Sequence, residues 1–115
     1  MGLEIYENWQ AAEASIRRVF QAVKHTFTSL ADGMANRIVD GYNASTKTIY
    51  EAKYGYMSLT SFIRSEIERD LYLLQTKQVK HVEWHFFVSV ITGKGGPSDS
   101  LLTELLNAGF DVFFH

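Results

Sequence analysis

Residues 48–56 read TIYEAKYGY. Side chains alternate between the two faces of a strand, so Glu51 and Lys53 share one face with Ile49 and Gly55, while Tyr50, Ala52 and Tyr54 share the other. The preceding RIVDGYN (37–43) reads as a short strand, and ASTK (44–47) as the turn that joins the two into a hairpin. A hairpin strand rich in tyrosine and isoleucine that sets a carboxylate beside an ammonium needs an explanation, and the rest of the chain is read around it.

Before the hairpin, Trp9, Ile16, Phe20, Val23 and Phe27 follow helical steps. Arg17, Arg18, Gln21 and Lys24 lie mostly off that stripe, which predicts one long helix over 6–31 stopped near Gly33. After the hairpin, Phe62, Ile63, Ile67, Leu71 and Leu74 predict a second helix, capped by Ser58 or Thr60. QTKQVK (75–80) is a polar connection and HVEWHFFVSVI (81–91) the most strand-like run. TGKGGPSDS (92–100) is a loop; Pro97 and Ser98 open a helix through Leu101, Leu102, Leu105 and Leu106, Gly109 ends it, and FDVFFH (110–115) closes the chain as a strand. The expected order is α-β-β-α-β-α-β. Its last β-α-β should be a right-handed parallel crossover. The expected class is α/β, an α+β mixed sheet with helices packed on it, in a single domain over 1–115.

Composition narrows the chemistry. The chain has 115 residues, 46% of them hydrophobic and 14% aromatic, and no cysteine. It should fold around a real core, with no disulfide and no thiolate metal site. Its net charge of −2 argues against a strongly basic surface, so any nucleic-acid contact must use a local patch. No apolar run is long enough to cross a membrane, and no membrane partner is expected. The opening MGLEIYENWQ lacks a basic segment followed by an apolar one, so it does not read as a signal peptide. Gly2 is not followed by the rest of a myristoylation signal, Tyr6 standing where Ser or Thr is wanted.

On the first hairpin strand Asp40 shares a face with Ile38 and Tyr42, so pairing of the strands would bring it beside Glu51. Two carboxylates and a lysine suit a hard divalent cation such as Mg²⁺. Lys53 could orient or help deprotonate a water activated by that metal. Glu13 sits inside the apolar stripe of the first helix, where a carboxylate is costly unless it binds metal or pairs with an arginine. A bare E-x-K is a weak signal. The plain alternative is a surface strand with a cross-strand Asp–Lys pair, worth at most ~1 kcal/mol.

Taken together, "VD…YEAKYGY" resembles the PD-(D/E)XK signature of restriction-endonuclease-like nucleases, an Asp followed by E-x-K on the next strand. YEAKYGYMSLTSFI, VEWHFF followed by TGKGGPS, and LLNAGFDVFFH are similar to the toxin domains at the C-termini of large secreted polymorphic or contact-dependent bacterial toxins. The resemblance covers roughly residues 9–115. It implies metal-dependent phosphodiester hydrolysis of DNA or tRNA with Mg²⁺ or Mn²⁺, Asp40 and Glu51 as metal ligands, Lys53 as the water-positioning lysine, and Glu13 as the acidic residue of the first helix. It also implies delivery as part of a larger toxin into the target-cell cytoplasm, and a cognate immunity protein. Val39 departs from the proline of the signature, and the acidic net charge is unusual for tight DNA binding.

Other residues have weaker readings. His81, Glu83 and His85 share a strand face, but their spacing is not a standard zinc-ligand pattern, so Zn²⁺ is the lesser candidate. Trp84 and Phe86 point the other way, as core residues. GKGG (93–96) lacks the P-loop spacing and reads as a loop. Arg64, Arg69, Lys77 and Lys80 with Glu66, Glu68 and Asp70 read as a solvated face. If the chain handles nucleic acid, Tyr56 could stack on a base, and Arg64, His85 and Lys94 could meet phosphates. Two other functions remain open: a binding module in which Asp40, Glu51 and Lys53 form a structural ion-pair cluster, and a housekeeping nuclease of repair or junction resolution.

Overall fold

In the computed structural model, residues 6–115 are described. The readings of Gly2 and of the first five residues lie outside them. Helix α1 (Trp9–Val19) starts at Asn8, whose side chain accepts from the Ala11 N–H at 2.8 Å. It buries only Ala12, Ser15 and Ile16. It does not run to residue 31. Gln21 turns the chain with φ +52°, and β1 (Val23–Phe27) follows as an exposed strand with only Phe27 buried. Next come β2 (Arg37–Asn43) and β3 (Thr48–Tyr54). Asn43 shapes their turn, its Oδ1 accepting from Ser45 N and Thr46 N.

Helix α2 (Ser61–Gln75) is capped by Thr60 and helix α3 (Asp99–Asn107) by Ser98, each hydroxyl accepting the N–H three residues on. Strand β4 (His81–Phe87) ends short of residue 91, and β5 (Asp111–Phe114) follows Gly109, which has φ +81°. The order is therefore α-β-β-β-α-β-α-β, one strand more than expected.

The five strands lie in sequence order in one sheet. β1, β2 and β3 pair antiparallel, and β4 and β5 continue the sheet in parallel. The sheet is mixed, as expected. The larger core packs α2 and α3 on one face, with Ile63, Ile67, Leu73 and Leu101 against Val39, Ile49 and Trp84. A smaller core packs α1 on the other face, with Ala12 and Ile16 against Tyr50 and Phe87. Both parallel connections step the same way and keep their helices on one face, as a common crossover hand requires.

Two irregularities create the site. Between Val23↔Tyr42 and His25↔Val39 the β1–β2 register slips, so β2 spends an extra residue at Asp40–Gly41. Such a bulge turns the strand face over, and Val39 joins Tyr42 and Ile49 in the larger core. Asp40 and Tyr42 therefore do not share a face, contrary to simple alternation. The β2–β3 ladder pairs Asn43↔Thr48 through Gly41↔Tyr50, whereas β3 stays paired with β4 from Thr48 to Tyr54. The hairpin forks at Asp40 and Glu51.

Candidate active site at the fork of the hairpin

Where the strands part, the backbone of β3 loses a partner. Asp40 supplies one: its Oδ2 accepts from Ala52 N–H at 2.8 Å. The carboxyl then lies between two others. Burial raises its pKa to about 8, and the charges of Glu51 and Glu13 add to that rise against the pull of the Ala52 hydrogen bond. Sequence reasoning expected Asp40, Glu51 and Glu13 to converge, and the charges of Glu51 and Glu13 both act on Asp40 here, although α1 packs on the sheet face away from α2. Glu13 also pairs with Arg17 at 3.6 Å, and Arg17 Nη1 donates to the Asp40 carbonyl oxygen at 3.1 Å.

Glu51 is 3% exposed. Burial alone would raise its pKa, but Arg37 and Lys53 overcome that and hold it down at about 2. Lys53 Nζ lies 2.8 Å from Glu51 Oε2 and 2.7 Å from Glu66 Oε1. Those two carboxylates outweigh the burial that opposes its charge, so its pKa is raised. The ammonium also sits 5.2 Å from the Trp84 ring centre, a favourable cation–π distance.

Below the fork lies a group that the sequence did not announce. Arg37, 2% exposed, reaches Glu51 at 3.2 Å, Glu66 at 2.9 Å and Asp70 at 2.7 Å. Trp84 Nε1 donates to Asp70 Oδ2 at 3.2 Å. Glu66 and Asp70 are therefore buried, not members of a solvated face; only Glu68 of that trio is exposed. A signal existed. Glu66 and Asp70 each follow a stripe isoleucine, Ile63 and Ile67, by three residues, which puts carboxylates on the buried side of α2.

Two cations, Arg37 and Lys53, thus face four carboxylates: Asp40, Glu51, Glu66 and Asp70. The surplus is negative and centred on the fork. Buried Glu51 Oε1 marks it, with the Arg37 Nη2 charge 3.2 Å away but no well-aligned hydrogen bond. Among the described residues no three His, Asp or Glu side chains are grouped to hold an ion as they stand. The donor chemistry nevertheless fits a hard cation at one point. Asp40 and Glu51 offer carboxylate oxygens, one of them without a well-aligned hydrogen bond, and Asp40 holds a proton that a cation would replace.

The other residues singled out lie elsewhere. His85 pairs with Ala52 across β3–β4 and sits on the α1 face, its ring packed near Phe20 and Tyr50, away from Glu51 and Lys53. Its ring nitrogens meet His115 Nε2 and Glu83 Oε1, each at 2.8 Å. Burial and His115 lower its pKa to about 3. Trp84 and Phe86 are core residues. Arg64 pairs with Glu104 at 3.3 Å between α2 and α3. Lys94 is exposed in the 88–96 loop, and Tyr56 is exposed just past β3. No family model, curated protein or solved structure matches the chain.

Proposed function

We propose that this chain is a metal-dependent nuclease that hydrolyses phosphodiester bonds of DNA or tRNA. The observation that carries the reading is the fork itself. A protonated Asp40 and an ionised Glu51, one of whose oxygens has the Arg37 guanidinium at 3.2 Å but no well-aligned hydrogen bond, meet beside a lysine pinned at 2.8 Å. Mg²⁺ or Mn²⁺ bound by Asp40 and Glu51, with Glu13 in support, would supply an acidified water and offset phosphate charge. Lys53 then acts as a fixed cation. Its raised pKa suits orienting the nucleophile and neutralising charge, and it makes Lys53 a poor base. Arg37 and Glu66 are positioning residues that hold Glu51 and Lys53 in place.

The likeness to restriction-endonuclease-like toxin domains extends the reading. The chain would act as the toxic part of a larger secreted protein, in the cytoplasm of a target bacterium, and be held harmless in its producer by an immunity protein. A second reading has its own support. Every charge below the fork is paired, which is also what a purely structural cluster in a binding module would need.

One experiment separates the two. Plasmid DNA and total tRNA are incubated with the protein in Mg²⁺, Mn²⁺ or EDTA, beside Lys53→Ala and Asp40→Asn. Metal-dependent cleavage lost in both variants is expected, and the substrate consumed assigns DNA or RNA. Absence of cleavage, together with no metal binding by calorimetry, leaves the structural cluster. Expression without a partner then distinguishes a toxin from a housekeeping nuclease, since only the toxin kills the cell.

A further inference from the structure

Strand β4 turns Glu83, His85 and Phe87 toward the α1 face, and β5 brings Phe113 beside His85 on that face. His85 is 1% exposed. Phe113 stacks on its ring at 4.7 Å, with Phe20 at 5.2 Å and Tyr50 at 6.2 Å. Both of its nitrogens are engaged. Nε2 meets Glu83 Oε1 and Nδ1 meets His115 Nε2, each at 2.8 Å.

Counting protons fixes the direction of this chain. Glu83 keeps part of its side chain in solvent; ionised near neutral pH, it only accepts. His85 Nε2 therefore carries a proton. A neutral imidazole donates from one nitrogen and accepts at the other, so His85 Nδ1 accepts and His115 Nε2–H donates. One further proton fits on either ring with the chain intact. Two do not, because two N–H groups would then point at each other across 2.8 Å. Among the described residues, Asp111 on β5 and His81 on β4 act on Glu83, Glu83 acts on the Tyr50 hydroxyl of β3, and the α1 side contributes the Phe20 ring. Burial, and behind it His115, hold the His85 pKa at about 3 despite the carboxylate beside it.

The chain fastens the end of the sheet. His115 N–H donates to the Phe86 carbonyl oxygen at 2.9 Å, and the His115 ring lies flat on Phe87 at 4.4 Å and 9°. Phe87 is buried in the smaller core that holds α1, with Tyr6 packed edge-on at 5.5 Å. β5 itself is a four-residue edge strand, the kind of element that opens locally at low cost.

We propose that Glu83, His85 and His115 form an acid-released latch: protons taken up by the two imidazoles break their mutual hydrogen bond, free residues 113–115 from β4 and uncover Phe87 beside α1. The open form takes protons that the closed form excludes, so acid favours opening. The closed form is complete above the ordinary histidine value of 6.5 and is lost as pH falls from there toward 3. Each excluded proton makes opening about tenfold easier per pH unit. The latch uses none of the carboxylates of the fork and stands without the nuclease reading.

The test uses the whole chain. Long-range ¹H–¹⁵N correlation near neutral pH reads the tautomers; a proton on Nε2 of both His85 and His115 is expected, and a neutral His85 protonated on Nδ1 overturns the latch. Amide hydrogen exchange then reads opening as protection factors, corrected for the intrinsic effect of pH. The His115 amide should lose protection about tenfold per pH unit below about pH 6. The Gly55 amide, bonded to the Phe87 carbonyl oxygen at 2.8 Å on the other side of β4, should not follow it. A flat His115 response, or an equal response of both amides, overturns the proposal. His85→Gln keeps a donor for Glu83 and an acceptor for either charge state of His115, without a ring that titrates. The His115 amide should then keep its protection as pH falls, and a slope as steep as that of the wild type removes the histidine pair as its cause. Should this variant fail to fold, the tautomers and the two wild-type amides decide.

Discussion

At the scale of single residues, Asp40 and Arg37 carry opposite demands. In the fold Asp40 keeps its proton up to about pH 8, whereas its ordinary value is 3.8. Between those values the folded state binds the proton more tightly than the unfolded state, so this group costs stability as pH rises through the window. Asparagine keeps an oxygen for Ala52 N–H and carries no charge. Without metal, Asp40→Asn should therefore gain on the wild type from about pH 4 to about pH 8, by up to roughly 1.4 kcal/mol for each pH unit crossed, and level off beyond. Urea unfolding of both proteins in EDTA across that range measures the difference; a pH-independent difference would mean that Asp40 is ionised throughout. Arg37 is the reverse case. Among the described residues it alone touches Glu51, Glu66 and Asp70 together. Arg37→Ala leaves buried carboxylates uncompensated and should cost about 3–5 kcal/mol. Arg37→Lys should recover only part of that, because an ammonium cannot reproduce the fork that meets Asp70 through Nε and Nη2.

At the scale of elements, the bulge and the fork act as one device, and Gly41 is its hinge. A Cβ there would lie 3.0 Å from the Ala22 Cβ and 3.6 Å from the Tyr50 Cβ. Gly41→Ala should press the turn after α1 off the sheet and cost about 1–3 kcal/mol, read as a lower urea midpoint with an unchanged slope. A variant as stable as the wild type would mean that the layers there are loosely packed. This device also marks where the sequence stops being readable. The hairpin, α2, α3 and β4 are legible because each has one dominant period and a turn or cap at its ends. β1 is not, since Val23 and Phe27 satisfy both the helical step of four and, with His25, the strand step of two. The turn between them uses Gln21 at φ +52°, with no glycine or proline to announce it. The site divides in the same way. Glu51 and Lys53 are two residues apart and legible on one strand. Arg37 meets Glu66 and Asp70 across 29 and 33 residues, contacts that only the tertiary fold creates. Alternation placed Asp40 beside Glu51, but not by the route taken, because the bulge cancels the face that alternation assigns.

At the scale of the whole molecule, the surplus of carboxylates at the fork becomes a statement about stability. The fork joins the α1 layer to the α2 layer, through Asp40 with Ala52 on one side and Arg37 with Glu51 and Glu66 on the other. A cation held between Asp40 and Glu51 binds the native state only, since the unfolded chain does not bring residues of the two strands together. It should stabilise the protein by about 2.7 kcal/mol at a concentration a hundredfold above its Kd. For a domain of this size that is a rise in Tm of roughly 10 °C. Thermal unfolding in rising Mn²⁺, with Mg²⁺ and EDTA alongside, reads it without any substrate. The shift should vanish in Asp40→Asn and weaken as pH falls well below 8, because the cation must displace the proton on Asp40. It should persist in Phe62→Ala, whose ring lies outside the carboxylate cluster. A Tm that ignores Mn²⁺ and Mg²⁺ in the wild type would leave Glu51 to Arg37 and Lys53, and the fork would be a structural clasp between two layers.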